Sequence, residues 1–156
     1  MISEYLNEGL ENAAGRALAE VFLKQLKLEL VPQDVFNDSA NQVHATVAII
    51  GERLKGSVLL QFPELFAAKV TEILIGCEGE PDDIKDVTGE ICNMVAGRLK
   101  SDFAAAGFSG TLATPTVTVG TRINLHLASS FEHFEGMWAC DGHSINLQIQ
   151  IRTFQP

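Results

Sequence analysis

Hydrophobic residues recur along the chain with two different periods. Leu6, Leu10, Ala13, Ala14, Ala17, Leu18 and Val21 are spaced by threes and fours, as are Ile84, Val87, Ile91, Met94 and Val95. This spacing predicts a helix from about residue 3 to 26, with Ser3 as its cap, and a second from about 82 to 106. Asp82 or Asp83 is placed to cap the second, and Gly107 to stop it. A third helix fits residues 63–75, opened by Pro63 at its first position and closed by Gly76. Elsewhere the pattern is that of strands: residues 28–36 around Pro32, 43–50, 57–62, 111–119 with Pro115, 124–130 and 131–140. Asp141-Gly142 is a hairpin turn signal. After it Ile145, Leu147, Ile149 and Ile151 alternate with Asn146, Gln148, Gln150 and Arg152, which predicts a half-buried strand. Left at a sheet edge, that strand is a ready pairing surface for a second copy.

The helix near residues 82–106 has an unusual second face. At about 100° per residue, Asp86, Glu90, Asn93 and Gly97 lie together, opposite the apolar stripe. Most solvent-facing rows mix lysine and glutamate freely. This one holds two acids, an amide and a glycine that weakens the helix by about 1 kcal/mol relative to alanine. Such a row suits a docking face better than a plain surface. A packing role for Gly89 and Gly97 competes with this reading, and Asp86 also fits as a helix-start charge.

A weak repeat runs through the chain. An offset of 82 residues brings Glu4 onto Asp86, Glu8 onto Glu90, Glu11 onto Asn93, Gly15 onto Gly97, Arg16 onto Arg98 and His44 onto His126; Pro32 lands within one residue of Pro115. A true repeat requires the two long helices to be pseudo-equivalent and to pack side by side over a shared sheet. The halves differ at Glu11, where the second half has Asn93. An ionised carboxylate only accepts hydrogen bonds, whereas an amide donates and accepts.

Composition narrows the function. With 156 residues, 46% hydrophobic and 20% charged, the chain reads as one folded domain over residues 1–156. A formal net charge of −9 argues against nucleic acid and anionic membranes and is compatible with a partner that presents a positive site. Cys77, Cys92 and Cys140 form no CxxC pair, and the four histidines show no metal-ligand spacing. Cys92 points away from the Glu90–Asn93 face and reads as packed rather than nucleophilic. No apolar run is long enough to span a bilayer and no signal-peptide pattern is present, which predicts a cytoplasmic protein.

Asp86-x-x-x-Glu90-x-x-Asn93, then Gly97, then Pro115-Thr116-Val117-Thr118-Val119-Gly120, resembles the signature of the CheC/CheX/FliY phosphatases of bacterial chemotaxis. With one Glu-x-x-Asn copy and a leading helix, the chain is most similar to CheX. The resemblance implies an α/β (α+β) fold of pseudo-twofold symmetry, with two long helices on a mainly antiparallel sheet. It implies a substrate, the aspartyl phosphate of a CheY-like response regulator, and a homodimer. It also implies that Glu90 pairs with the regulator's active-site lysine, while Asp86 and Gly97 belong to the approach surface. No cofactor is implied in this chain, because the regulator brings its own Mg²⁺ and lysine. What remains is to hold a water in line with phosphorus. The Asn93 amide can do this, since its carbonyl oxygen accepts from the water and its NH₂ donates to a phosphoryl oxygen. The same face would equally serve a non-catalytic adaptor that binds a regulator or a flagellar switch without hydrolysis.

Overall fold

The computed structural model describes residues 1–34, 41–121 and 129–156. After a short 3-10 turn at Ile2–Glu4, helix α1 spans Gly9–Ala19 and runs on through a π-helical stretch, Glu20–Gln25. Strand β1 is only Val31–Pro32; β2 is Gln42–Ile50 and β3 Leu54–Pro63. Helices α2 (Glu64–Ile75) and α3 (Pro81–Ala105) follow, then β4 (Thr111–Leu112), β5 (Thr116–Gly120), β6 (Glu132–Cys140) and β7 (His143–Thr153). Among the described residues, the seven strands join one sheet and every pairing is antiparallel.

Several boundaries differ from those the pattern predicts, each for a local reason. The first helix does not run unbroken from Ser3, because Gly9 takes φ +75° and separates the opening turn from α1. Pro63 is the cap of α2 rather than its first turn, since it is still the last residue of β3; Gly76 stops the helix in the left-handed region, as expected. Helix α3 starts at Pro81, not at an aspartate cap. Asp83 instead accepts a 2.9 Å hydrogen bond from the backbone N–H of Glu80. The strand through Pro115 is split in two, with residues 113–115 outside the ladder. Asp141 and Gly142 both have positive φ and make the β6–β7 hairpin. The strand predicted at 124–130, and His126 with it, lies largely or wholly outside the described residues.

The sheet order is β1-β6-β7-β3-β2, with β4 and β5 both on the outer edge of β2. The order is unchanged when β1, β2 and β3 are exchanged for β5, β6 and β7, so a pseudo-twofold axis passes between β3 and β7. The 82-residue offset holds for the helices. The equivalent strands β2 and β6 start at Gln42 and Glu132, a larger offset than that of the helices. Strand β7 is hydrogen-bonded on both sides, to β3 and β6, so it is not left at an edge and offers no pairing surface. Nor is it half-buried: Asn146 and Gln148 are as closed to solvent as Ile145 and Leu147. In register, His44, Gln61 and Asn146 form a polar row across β2, β3 and β7 on the sheet face away from the long helices.

The other face carries α1 and α3 side by side. Leu10, Ala13, Ala14, Ala17 and Leu18 from α1 and Ile91, Cys92, Val95, Leu99 and Phe103 from α3 are buried with Val43, Ala45, Val47, Leu60, Leu147 and Ile149 of the sheet. Each large apolar side chain so buried contributes about 1.5–3 kcal/mol. The alanines of α1 let the helices approach closely. The contact is also electrostatic and reciprocal. Arg16 Nη2 lies 3.2 Å from Asp102 Oδ2, and Arg98 Nε lies 3.2 Å from Glu20 Oε2. Since Arg16 and Arg98, and Glu20 and Asp102, are related by the same offset of 82, these two ion pairs are images of each other across the axis. Asp102 serves both arginines, with Arg98 Nη2 3.7 Å from its Oδ1.

Asp102→Ala deprives both guanidinium groups of a partner. The arginines keep part of their hydration, so the expected loss is about 1–2 kcal/mol of stability. Glu20→Ala, which removes one pair, should cost less; urea denaturation of the two variants measures the difference.

Candidate functional site

Helix α3 presents Asp86 and Glu90 as exposed side chains and Asn93 and Gly97 as half-buried positions, all on the face turned away from the sheet. The structure therefore brings together the four residues that the spacing groups. One flank of this ridge is bordered by the chain between β4 and β5. Asn93 shares a shallow depression with Lys100, Thr111, Leu112, Thr114 and Pro115. Thus the proline that stands more than twenty residues downstream in the sequence is a wall of the hollow into which the amide faces.

Gly89 sets that proximity. A Cβ at this position would stand 3.2 Å from Val117 Cγ2 and 3.4 Å from Pro115 Cβ. The missing side chain lets β5 and Pro115 close onto α3 one turn before Asn93. Gly97 is different. Its nearest non-local neighbour is Leu112 Cδ1, 3.9 Å from where a Cβ would be, an ordinary contact. Packing accounts for Gly89 and does not require glycine at 97, where the effect is an uncovered stretch of ridge between Asn93 and Lys100.

The side chains of Asp86, Glu90, Asn93 and Lys100 make no hydrogen bond or ion pair with any described residue. The equivalent face of α1 is committed. Arg16 Nη1 donates to Glu8 Oε2 at 2.8 Å, and the Asn12 amide donates to the Glu8 backbone carbonyl at 2.9 Å. Glu8 is the counterpart of Glu90, and Arg16 that of Arg98. In the second half the arginine turns to Glu20 and Asp102, so Glu90 keeps its carboxylate for something else. The α1 face nevertheless has its own groove, where Glu11, Asn12 and Gly15 sit beside Pro32 as Asn93 sits beside Pro115. Its amide is one residue displaced from the equivalent position, which Glu11 occupies.

The remaining reactive side chains are accounted for by packing. The Cys92 thiol is buried, donates toward the carbonyls of Ala45 and Val58 at 3.4 and 3.6 Å, and is pushed up to about 12 by burial. His44 is buried with Nε2 2.8 Å from the Thr121 carbonyl, and burial lowers its pKa. Among the described residues no group of three or more His, Cys, Asp or Glu is arranged to hold a metal ion, and no helix is long and apolar enough to cross a membrane. Lys100 carried no signal in the sequence: it is one more surface lysine until Leu112 and Pro115 are folded against it.

Two pseudo-equivalent helices laid on an antiparallel sheet, with one intact Glu-x-x-Asn face beside a proline, define a recognisable class. Residues 43–135 match the family model described as chemotaxis phosphatase CheX, and the chain belongs to the CheX family. Among solved structures it is similar to chemotaxis protein CheX from Vibrio vulnificus, with 24% identity, a TM-score of 0.79, and 97% of this chain and 99% of that one covered. A CheC-like superfamily protein from Shewanella sp. PV-4 is similar at 22% identity and TM-score 0.77, covering 91% and 96% of the two chains. The CheX–CheY–BeF3–Mg²⁺ complex from Borrelia burgdorferi is similar at 20% identity and TM-score 0.68, with 91% and 97% covered. These likenesses establish the shared fold. No curated protein matches the sequence.

The two glycines of the site should respond oppositely to substitution. Gly89→Leu forces Pro115 and Val117 off the helix and is expected to cost about 1–3 kcal/mol. Gly97→Ala adds a methyl group in ordinary contact and removes a flexible residue, for an expected gain of up to about 1 kcal/mol. Thermal or urea denaturation of both variants checks the signs.

Proposed function

We propose that this chain hydrolyses the aspartyl phosphate of a CheY-like response regulator, with Asn93 orienting the attacking water and Glu90 docking to the regulator's active-site lysine. The observation that carries this reading is the uncommitted state of Glu90 and Asn93 on one exposed face of α3, set against the internally paired Glu8 on the equivalent face of α1. Family membership supplies the reaction class, and a related CheX occurs in complex with CheY, BeF3 and Mg²⁺.

The chemistry asked of this chain is small. The regulator provides the phosphoryl group, the Mg²⁺ that neutralises it and the lysine beside it, so no metal or cofactor is required from α3. Asn93 lines the depression walled by Pro115, and its amide is not taken up by a hydrogen bond to any described residue. There the carbonyl oxygen accepts from water and the NH₂ donates to a phosphoryl oxygen. An amide is no base at neutral pH, so its contribution is alignment, and a few kcal/mol of alignment gives roughly a hundredfold or more. Glu90, about 4.5 Å along the axis from Asn93, is positioned to meet a cation next to that phosphoryl group. Asp86 extends the negative approach by one turn, and the bare backbone at Gly97 gives a partner loop room.

Mixing the purified chain with phosphorylated regulators and following phosphate release tests this. Asn93→Ala should lose about a hundredfold or more of the acceleration with the fold intact, and Glu90→Ala should lose both affinity and rate. Full activity in Asn93→Ala would sink the mechanism. Regulator binding without faster dephosphorylation would make the chain an adaptor.

The homodimer implied by the family resemblance belongs to this reading, but not by way of the Ile145–Ile151 strand, which lies inside the sheet. Strands β1 and β4–β5 form the outer edges among the described residues, and a dimer built by strand pairing would use one of them. Sedimentation equilibrium should give twice the chain mass; a monomer at high concentration refutes this part.

A further inference from the structure

The α3 ridge carries charge of both signs, and in a fixed order. Reading from its N-terminal end, Asp86 and Glu90 come first, then Asn93, the gap at Gly97, and Lys100. At about 100° per residue these five positions fall within an arc of about 80°. Lys85, on the same helix, belongs elsewhere: it lines a separate, mainly apolar groove with Leu65, Ile84 and Val119. Lys100 is thus the ridge's own cation, and it shares the depression with Asn93, Leu112, Thr114 and Pro115.

Nothing within the described chain neutralises it. In a protein of net charge −9 a lysine ordinarily finds an acid, but Lys100 forms no ion pair with any described residue. The nearest acid along the helix, Asp102, is shared between Arg16 and Arg98 on the opposite face. The ridge acids Asp86 and Glu90 lie about 15 Å or more away along the axis, beyond the reach of the Lys100 side chain. Leu112 and Pro115 line the depression with it and offer apolar surface along which the methylene stem can lie while the ammonium group stays in water.

We propose that Lys100 is a docking residue that receives a carboxylate side chain of the response regulator, so that the ridge reads its partner with two charges of opposite sign. This rests on the reading of α3 as the regulator-binding face. Asn93 and Lys100 are seven residues apart, about 10 Å along the axis. With Asn93 at the phosphoryl group, Lys100 meets the regulator outside its phosphorylation pocket, where an acidic side chain is the anion available on a protein surface. The two ends then act together. A regulator docked in the reverse sense would set its lysine against Lys100 and its carboxylate against Glu90. Both contacts would be repulsive, so the ridge admits a single orientation, the one that brings Asn93 to phosphorus.

Calorimetric titration of the full chain with a CheY-like regulator, both unmodified and activated with beryllofluoride, tests the inference without relying on turnover. Lys100→Glu should weaken binding of both forms by tenfold or more and raise KM while lowering kcat far less; Lys100→Gln should fall between, and Lys100→Arg should restore affinity. Unchanged melting temperatures confirm that the variants are folded. Wild-type affinity in Lys100→Glu overturns the inference and leaves the phosphatase reading standing. A loss confined to the beryllofluoride form also overturns it, because the contact would then be to the phosphoryl group. If the unsubstituted chain binds neither form of any regulator, the docking reading itself falls and takes the inference with it.

Discussion

The reciprocal ion pairs between α1 and α3 decide more than the packing of two helices. Arg98 is drawn toward Glu20 and Asp102 at the helix contact, and it therefore does not reach forward to Glu90. Its counterpart Arg16 has the same inward partner in Asp102 but also grasps Glu8. From two nearly equivalent helices the chain thus makes one face that is satisfied internally and one that is not. An unpaired carboxylate at a water-exposed position costs little on its own. It becomes useful when a partner presents a cation and water is expelled, because the interaction strengthens as the local dielectric falls. Asymmetry of function arises here from an arginine's choice of neighbour within a symmetric frame.

A second constraint acts at shorter range. The Gly89 backbone lies against Pro115 and Val117, which brings an irregular piece of chain to the side of a regular helix. The helix fixes the direction of Asn93 through its turn; the β4–β5 connection shapes the hollow beside it. Neither element alone makes the site. The conformation of residues 113–115 follows from Pro115, which has no N–H to donate to the ladder and so interrupts the strand at the point where the helix needs a wall.

Much of this was legible in the sequence. Helical periodicity placed Asp86, Glu90, Asn93 and Gly97 on one face, and the repeat foretold two long helices side by side over a shared sheet. The errors share a cause: a pattern of side chains reports its own chemistry and not what lies against it. Alternation of isoleucine with asparagine and glutamine in β7 suggests a wet face, yet Asn146 and Gln148 are buried, Asn146 in a row with His44 and Gln61. Lys100 gave no signal because its neighbours Leu112 and Pro115 arrive from another element. The break at Gly9 and the short β1 depend on backbone conformation, which a tolerant residue such as glycine permits without announcing.

The palindromic strand order has a kinetic consequence. At the centre of the sheet Leu54 pairs with Thr153, and Gln61 with Asn146, so the middle of the molecule is closed by segments from opposite halves of the chain. Local hairpins such as β2–β3 and β6–β7 are able to form early, but the seam between them must wait for a long loop to close, and sheets assembled in this way fold slowly. Until the last strand is in place, β3 exposes an apolar, unpaired edge, the surface on which nascent chains aggregate. A fold that doubles a simple unit therefore postpones its most cooperative contact until the second unit has been made.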